Sequence, residues 1–419
     1  MDKMRIQGGK KLSGTVQVSG AKNAALPILI ASIVAEGKCE FERVPDLQDV
    51  RTTLKLLSQL GVKVDDGLSS KNSVILDASR VDNFEAPYDL VRTMRASIVV
   101  LGPLLARLGK AKVSLPGGCA IGARPIDLHL AGLKRLGATI ELEGGYVIAS
   151  AKKLKGGKVP FDFPSVGATE NVLMAAVLAD GESVLENCAR EPEIVDLARA
   201  LRAMGAVIEG EGTETIRVQG KSSLHGCKFG IMGDRIEAGT YLAAGFGTQG
   251  DVTVEGIAPE HLESVLVKFE EAGAQIIRKK DSVQIIARDR AKGVDITTQP
   301  FPGFPTDMQA QFMSVMTVAN GASTMSETIF ENRFMHVPEL MRLGADITIR
   351  GNTAVIRGKE KLLGAPLMAT DLRASASLIL GGLFAQGETV VNRIYHLDRG
   401  YERMEKKLQK LGASIERMK

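Results

Sequence analysis

Tryptophan is absent, and Phe, Tyr and Trp together supply only 4% of the 419 residues. With so few rings to stack on bases, a nucleic-acid partner is not expected. A dominant charge sign is missing as well: 53 Lys and Arg face 49 Asp and Glu, a formal +4. That balance is too mild to draw the chain to a polyanion or a membrane surface by bulk charge, so any anion site has to be built by local clustering. The four cysteines, Cys39, Cys119, Cys188 and Cys227, are far apart and show no CxxC spacing. This excludes a zinc ribbon or a disulfide framework and fits reduced thiols. No GxGxxG, GxxxxGK[ST] or HExxH occurs, and the histidines at 129, 225, 261, 336 and 396 are dispersed, so no metal and no redox cofactor are expected. The opening MDKMRIQGGKKLSG has no apolar signal core. The apolar runs Ala24–Ala35 and Ile98–Leu108 fall short of the ~20 residues a bilayer demands. The expectation is a cytoplasmic chain with no membrane partner.

Glycine, in contrast, is plentiful at 45 residues, against a usual share of about 7%, which suggests close helix packing and many tight turns. The length exceeds the roughly 250–300 residues at which one core stops growing, so two domains are expected. The chain also repeats itself. A short amphipathic helix ending in Gly and followed by a β-branched strand occurs six times: LKLLSQLGVKV, LAGLKRLGATIEL, ARALRAMGAVIEG, LVKFEEAGAQIIR, ELMRLGADITIR and KKLQKLGASIER. The glycines are Gly61, Gly137, Gly205, Gly273, Gly344 and Gly412, separated by 76, 68, 68, 71 and 68 residues. Gly is the residue expected where a helix ends with a positive φ. Between these phrases lies a second helix that is apolar over most of its circumference, as in AALPILIASIVAEG and RASASLILGGLFAQG. Such helices belong inside, while the first kind, charged on one side, faces solvent. The strands alternate apolar and polar residues, as Thr139–Leu142 do, so they read as half-exposed. The arrangement inferred is α/β with helices inside, sheets outside and three repeats in each of two domains.

The segments SGAKNAALP (19–27), PGGCAIGARPIDLH (116–129), FPSVGATEN (163–171), FPTDMQAQF (304–312), ETIFENRFMHVPEL (327–340), ATDLRASASL (369–378) and HLDRGYER (396–403) resemble the UDP-N-acetylglucosamine 1-carboxyvinyltransferase family from end to end. The resemblance implies an inside-out α/β barrel fold. It places residues 21–230 in one enolpyruvyl transferase domain, with a cysteine lid at about 114–127, and residues 1–20 plus 231–419 in the second. It implies transfer of the enolpyruvyl group of phosphoenolpyruvate to the 3′-hydroxyl of UDP-N-acetylglucosamine with release of phosphate, the first committed step of peptidoglycan synthesis. Those two small molecules are the partners implied. FDFPSVG departs from some relatives in carrying Phe163 and Pro164 beside the uridine site.

Site residues follow from the resemblance and from the chemistry of each side chain. Lys22 and Asn23 open an apolar helix, where a cation opposes the dipole unless an anion is expected; by resemblance both bind phosphoenolpyruvate. Cys119 sits among Gly117, Gly118 and Gly122 with Arg124 five residues on, a setting that lowers a thiol pKa; its implied role is general acid at C3 of phosphoenolpyruvate. The other three cysteines read as small buried hydrophobes. Asp307 begins an apolar helix and could be a cap, while the resemblance makes it the general base at the sugar hydroxyl. Arg124, Arg373 and Arg399 are implied partners of the phosphate and carboxylate, a task the planar fork of arginine suits. Lys22 and Arg399 are also counted with Cys119 and Asp307 as catalytic. Arg95, Arg124, Pro125, Ile126, Asp127, Leu128, Ser165, Val166, Gly167, Asp307 and Ile329 are assigned to the UDP-sugar, with Arg333 and Asp371 as supporting partners. The helix starts are expected to converge between the domains. Two alternatives stay open: a shikimate-3-phosphate enolpyruvyl transferase, and a catalytically silent UDP-sugar-binding paralogue.

Overall fold

The computed structural model describes residues 2–91, 94–115 and 126–419, with Arg95 by its backbone alone. The described residues form two compact units. One comprises residues 2–19 and 233–419, and the other residues 20–115 and 126–232 without the two outside the description.

Six four-stranded sheets share one wiring, three in each unit. In each, a parallel pair at one edge continues into two antiparallel neighbours. Lys158–Pro160 runs parallel to Glu182–Glu186, which pairs antiparallel with Thr215–Gln219 and through it with Val207–Glu209. The same order recurs when Lys228–Gly230 lies parallel to Lys38–Glu42, followed by Ser73–Asp77 and Lys63–Gly67. In the other unit both N-terminal strands are built into later sheets. Ser13–Gln17 lies parallel to Asp251–Glu255, and Lys3–Gln7 sits between Glu388–Asn392 and Ser414–Met418. A purely parallel sheet, the ordinary outcome when helices and strands alternate, does not form: five sheets take in a pair of sequential antiparallel strands, and the sixth pairs Lys3–Gln7 with Ser414–Met418.

The helices that read as apolar all round are the buried ones. In Lys22–Ala31 every residue from Ala24 onward is buried, and in Gln309–Met316 all eight are. Gln309–Met316 packs on Leu372–Phe384 and on Arg235–Gly247, and those two touch each other. In the other unit Leu101–Leu108 packs on Val166–Ala176, and Lys22–Ala31 on the turn Arg95–Val100. Glycine permits this closeness: a Cβ on Gly247 would overlap the ring of Phe384, so the missing side chain makes room for the ring. The amphipathic helices of the Gly-ended repeat phrase lie outside, with the charged residues Glu263, Lys268, Glu270 and Glu271 of Glu263–Glu271 left in or near solvent while Val265, Leu266 and Phe269 are buried. The repeat glycines Gly61, Gly137, Gly205, Gly273, Gly344 and Gly412 all take φ between +90 and +102°, which is why no other residue serves at that bend. Outer strands are wetter than simple alternation implies: in Thr139–Glu143 only Ile140 is even half-buried and Leu142 is 62% exposed. No helix among the described residues is long and apolar enough to cross a membrane.

Candidate functional site

The residues assigned from sequence fall into both units. Asp307, Ile329, Arg333, Asp371, Arg373 and Arg399 lie in the unit containing the C-terminus, and Lys22, Asn23, Arg95, Ile126–Leu128 and Ser165–Gly167 in the other. Cys119, Arg124, Pro125 and the Arg95 side chain lie outside the described residues.

Asp307 is the middle residue of the short 3-10 turn Thr306–Met308, which leads into Gln309–Met316. The capping alternative fails, since the cap position belongs to Pro305 and no side chain caps the turn. The carboxylate is instead forked between two arginines, Oδ1 to Arg333 Nη2 at 2.7 Å and Oδ2 to Arg373 Nη2 at 2.7 Å. The arginine side chains are 5% exposed and Asp307 25%, so the acid is the accessible member of the trio. Burial pushes its proton affinity up, but the guanidinium groups of Arg373 and Arg333 outweigh this and hold the carboxyl well below the usual carboxylate range. Arg373 is held in turn: its Nη1 donates to Tyr401 Oη at 3.3 Å, and that phenol shares a 2.8 Å hydrogen bond with Thr240 Oγ1. Gln311 Nε2 donates to the Tyr401 oxygen at 3.2 Å and to the Asp307 carbonyl at 2.8 Å. Asp371 is a helix cap, its Oδ1 accepting from Arg373 N at 2.8 Å and Ala374 N at 3.0 Å. It therefore sets the backbone from which Arg373 extends. Arg399 ends the 3-10 turn Ile394–Arg399 and is half-buried.

His336, 1% exposed, packs under this group with Nε2 3.3 Å from Met313 Sδ. Burial pushes it down to about 4; Asp371 opposes this and Arg333 adds to it. A histidine held neutral in the fold stabilises it fully above its unfolded value near 6.5, and that stability is lost as pH falls from there toward 4. The loss from this residue is of order 3 kcal/mol, and His336→Leu is expected to flatten the pH dependence of the urea midpoint between pH 7 and 5.

In the other unit Lys22 is the first residue of its helix, whose first turn carries no acid. Its Nζ reaches Asp49 Oδ2 at 2.9 Å, and Asp49 is itself only 3% exposed. Asn23 follows, half-buried. Ser165 caps Val166–Ala176 by accepting from Ala168 N at 3.3 Å, so Val166 and Gly167 form an open helix start. Ile126, Asp127 and Leu128 open the helix Asp127–Arg135, with Asp127 exposed. Beneath them lies a histidine not singled out by sequence. His129 is buried, and its Nδ1 is 3.0 Å from Asn171 Nδ2. Asn171 Oδ1 accepts from Gly102 N at 2.6 Å, which fixes the amide orientation, makes Nδ1 the acceptor and leaves the ring proton on Nε2. A Cβ on Gly167 would lie 3.1 Å from His129 Cε1, so the ring abuts the open helix start. The signal available in sequence was its place one turn into PIDLH. Asp49, Tyr401 and Glu327 were missed as well, being recognisable only through what they touch.

Among the described cysteines, Cys39 and Cys188 are buried and Cys227 is half-buried rather than enclosed. Burial pushes the Cys188 thiol up to about 12. No group of three or more His, Cys, Asp and Glu among the described residues is placed to hold a metal.

The family model of EPSP synthase (3-phosphoshikimate 1-carboxyvinyltransferase) matches residues 6–408. The UDP-N-acetylglucosamine 1-carboxyvinyltransferase of Geotalea uraniireducens is 59% identical over 418 residues, covering all of both chains. That of Nitratidesulfovibrio vulgaris is 59% identical over 420 residues, covering all of this chain and 99% of its own. Among solved structures, the enolpyruvyl transferase NikO from Streptomyces tendae superposes with a TM-score of 0.89 at 26% identity, over 100% of this chain and 99% of that one. EPSP synthase from Acinetobacter baumannii shares the fold at a TM-score of 0.75 and 19% identity, over the whole of both chains. The chain belongs to the enolpyruvyl transferase family, in the group of the UDP-N-acetylglucosamine 1-carboxyvinyltransferases.

Proposed function

We propose that this protein transfers the enolpyruvyl group of phosphoenolpyruvate to the 3′-hydroxyl of UDP-N-acetylglucosamine, releasing phosphate and committing the sugar to peptidoglycan. The observation that carries this reading is identity of 59% along the entire chain with proteins of that activity. The Asp307–Arg333–Arg373 fork supports it chemically.

In this reading the sugar 3′-oxygen attacks C2 of phosphoenolpyruvate as C3 takes a proton, giving a tetrahedral phospholactoyl ketal. Loss of a proton from the C3 methyl with departure of phosphate from C2 then regenerates the double bond and leaves the enolpyruvyl ether. Asp307 accepts the hydroxyl proton, Cys119 delivers one to C3, and Lys22, Asn23, Arg124, Arg373 and Arg399 hold the phosphate and carboxylate. Arg95, Arg124–Leu128, Ser165–Gly167 and Ile329 hold the UDP-sugar. A carboxylate forked between two guanidinium groups is a poor base. An anionic substrate that draws off Arg373 removes one of those cations and raises the proton affinity of Asp307 when the acceptor is present.

The test is phosphate release with phosphoenolpyruvate alone, with UDP-N-acetylglucosamine alone, and with both. Release only from the pair is expected. Release with shikimate 3-phosphate as the acceptor would move the chain to the other branch of the family, and tight UDP-sugar binding without release would make it a silent binder.

A further inference from the structure

Glu327 is 3% exposed, and its carboxylate ties its own loop to Thr306 and Thr298, 21 and 29 residues earlier in the chain. Oε1 accepts from Thr298 Oγ1 at 2.8 Å, Ile329 N at 2.9 Å and Phe330 N at 3.2 Å. Oε2 accepts from Thr306 Oγ1 at 2.8 Å. Thr298 Oγ1 passes the link on, accepting from Thr328 N at 2.9 Å. A carboxylate taken out of water is expensive unless several donors hold it, and charge-assisted hydrogen bonds of this kind are the strong ones. A hydrophobe would fill the space without that penalty, so the acid is retained for what it joins.

What it joins is the Asp307 turn and the Ile329 loop. Thr306 is the residue immediately before Asp307 and the first of its turn. Ile329 is held by its own N–H, and the same loop runs on to Arg333, which grips the Asp307 carboxylate at 2.7 Å. The loop is therefore fastened to the Asp307 turn at two points, once through the Glu327–Thr306 hydrogen bond on the backbone side and once through the ion pair on the carboxylate side. We propose that Glu327 is a positioning residue for the transfer reaction, setting the distance between the carboxylate of Asp307 and the loop that carries Ile329. The inference rests on Asp307 and Ile329 acting as described under Proposed function.

The test uses full-length Thr306→Val, Thr306→Ser, Glu327→Gln and Thr306→Val/Glu327→Gln, with Asp307→Ala alongside. Thr306→Val removes only the hydroxyl and keeps the volume; Glu327→Gln keeps an acceptor for Thr298, Ile329 and Phe330 and turns the charged acceptor facing Thr306 into a neutral NH2 that can only donate. Each is expected to lower kcat by about 10–100-fold, the scale of a small misplacement of a reacting group, with KM for phosphoenolpyruvate within about twofold. Thr306→Ser is expected to restore kcat, and the double variant to be no worse than either single one, because both remove the same charge-assisted link. If Thr306→Val and Glu327→Gln lower the Tm but leave kcat within about twofold while Asp307→Ala is inactive, the node is only structural and this inference alone falls. Normal turnover in Asp307→Ala overturns both the inference and the role assigned to Asp307.

Discussion

Asp307→Ala is expected to lower kcat by about 10²–10⁴-fold, the range over which a positioned proton acceptor contributes, while UDP-sugar binding persists. The structure adds a second consequence. Removing the carboxylate leaves Arg333 and Arg373, both 5% exposed, facing each other with nothing negative between them. Loss of one partner from a buried charge cluster costs about 3–5 kcal/mol, within the 5–15 kcal/mol typical of a folded domain. The variant therefore remains folded but melts earlier. Inorganic phosphate, able to occupy the space between two guanidinium groups, should raise its Tm more than that of the parent. Near-normal kcat in a folded Asp307→Ala variant removes Asp307 from the reaction. The parent should also show the linked pH effect. A carboxyl held below its unfolded range stabilises the fold above about pH 4, and that stability is lost as pH falls through the lower folded value. Asp307→Ala lacks this acid limb.

Arg373→Ala acts differently, because Asp307 keeps Arg333 as a partner. The fold should lose less, and the main effect should fall on phosphoenolpyruvate, whose KM is expected to rise about 10–100-fold, the worth of one hydrogen-bonded charge contact. A second readout separates this from a general loss of order. With one cation gone, the Asp307 carboxyl is held down less firmly, so the acid limb of kcat/KM should move to higher pH. A variant with unchanged KM and an unmoved acid limb would show that Arg373 serves only the internal web of Tyr401, Thr240 and Gln311.

The repeat was the most legible part of the fold. Six glycines at nearly constant spacing marked six helix ends, because a positive φ at that bend leaves the chain little choice of residue, and the apolar inner helices announced their burial by having no polar face. The mixed wiring of the sheets was not legible, since strand pairing is set by which edges meet in space and alternation carries no partner label. At the site, Lys22, Asp307 and Arg373 stood out through family motifs. Yet Asp307 could also be read as a cap, and it is the position of Pro305 at the cap, together with the forked ion pair, that decides against it. Glu327, Asp49 and Asn171 gave no signal because their chemistry consists of contacts with residues far along the chain. Glu327 and Asn171 even lie within quoted motifs, where a polar residue in an apolar helix or before a loop has many ordinary explanations.

The strands Lys3–Gln7 and Ser13–Gln17 find their partners only at Asp251–Glu255, Glu388–Asn392 and Ser414–Met418. During synthesis Ser13–Gln17 waits for Asp251–Glu255, and Lys3–Gln7 has nothing to pair with until Glu388–Asn392 and Ser414–Met418 have been made. The intervening residues 20–232 contain every strand of their own sheets and need not wait. Closing so long a loop opposes pairing with a conformational-entropy term and favours slow, late assembly. The earliest-made segment of the polypeptide is thus among the last to become ordered, and a nascent chain stalled before Glu388 carries an open β-edge for chaperones to shield.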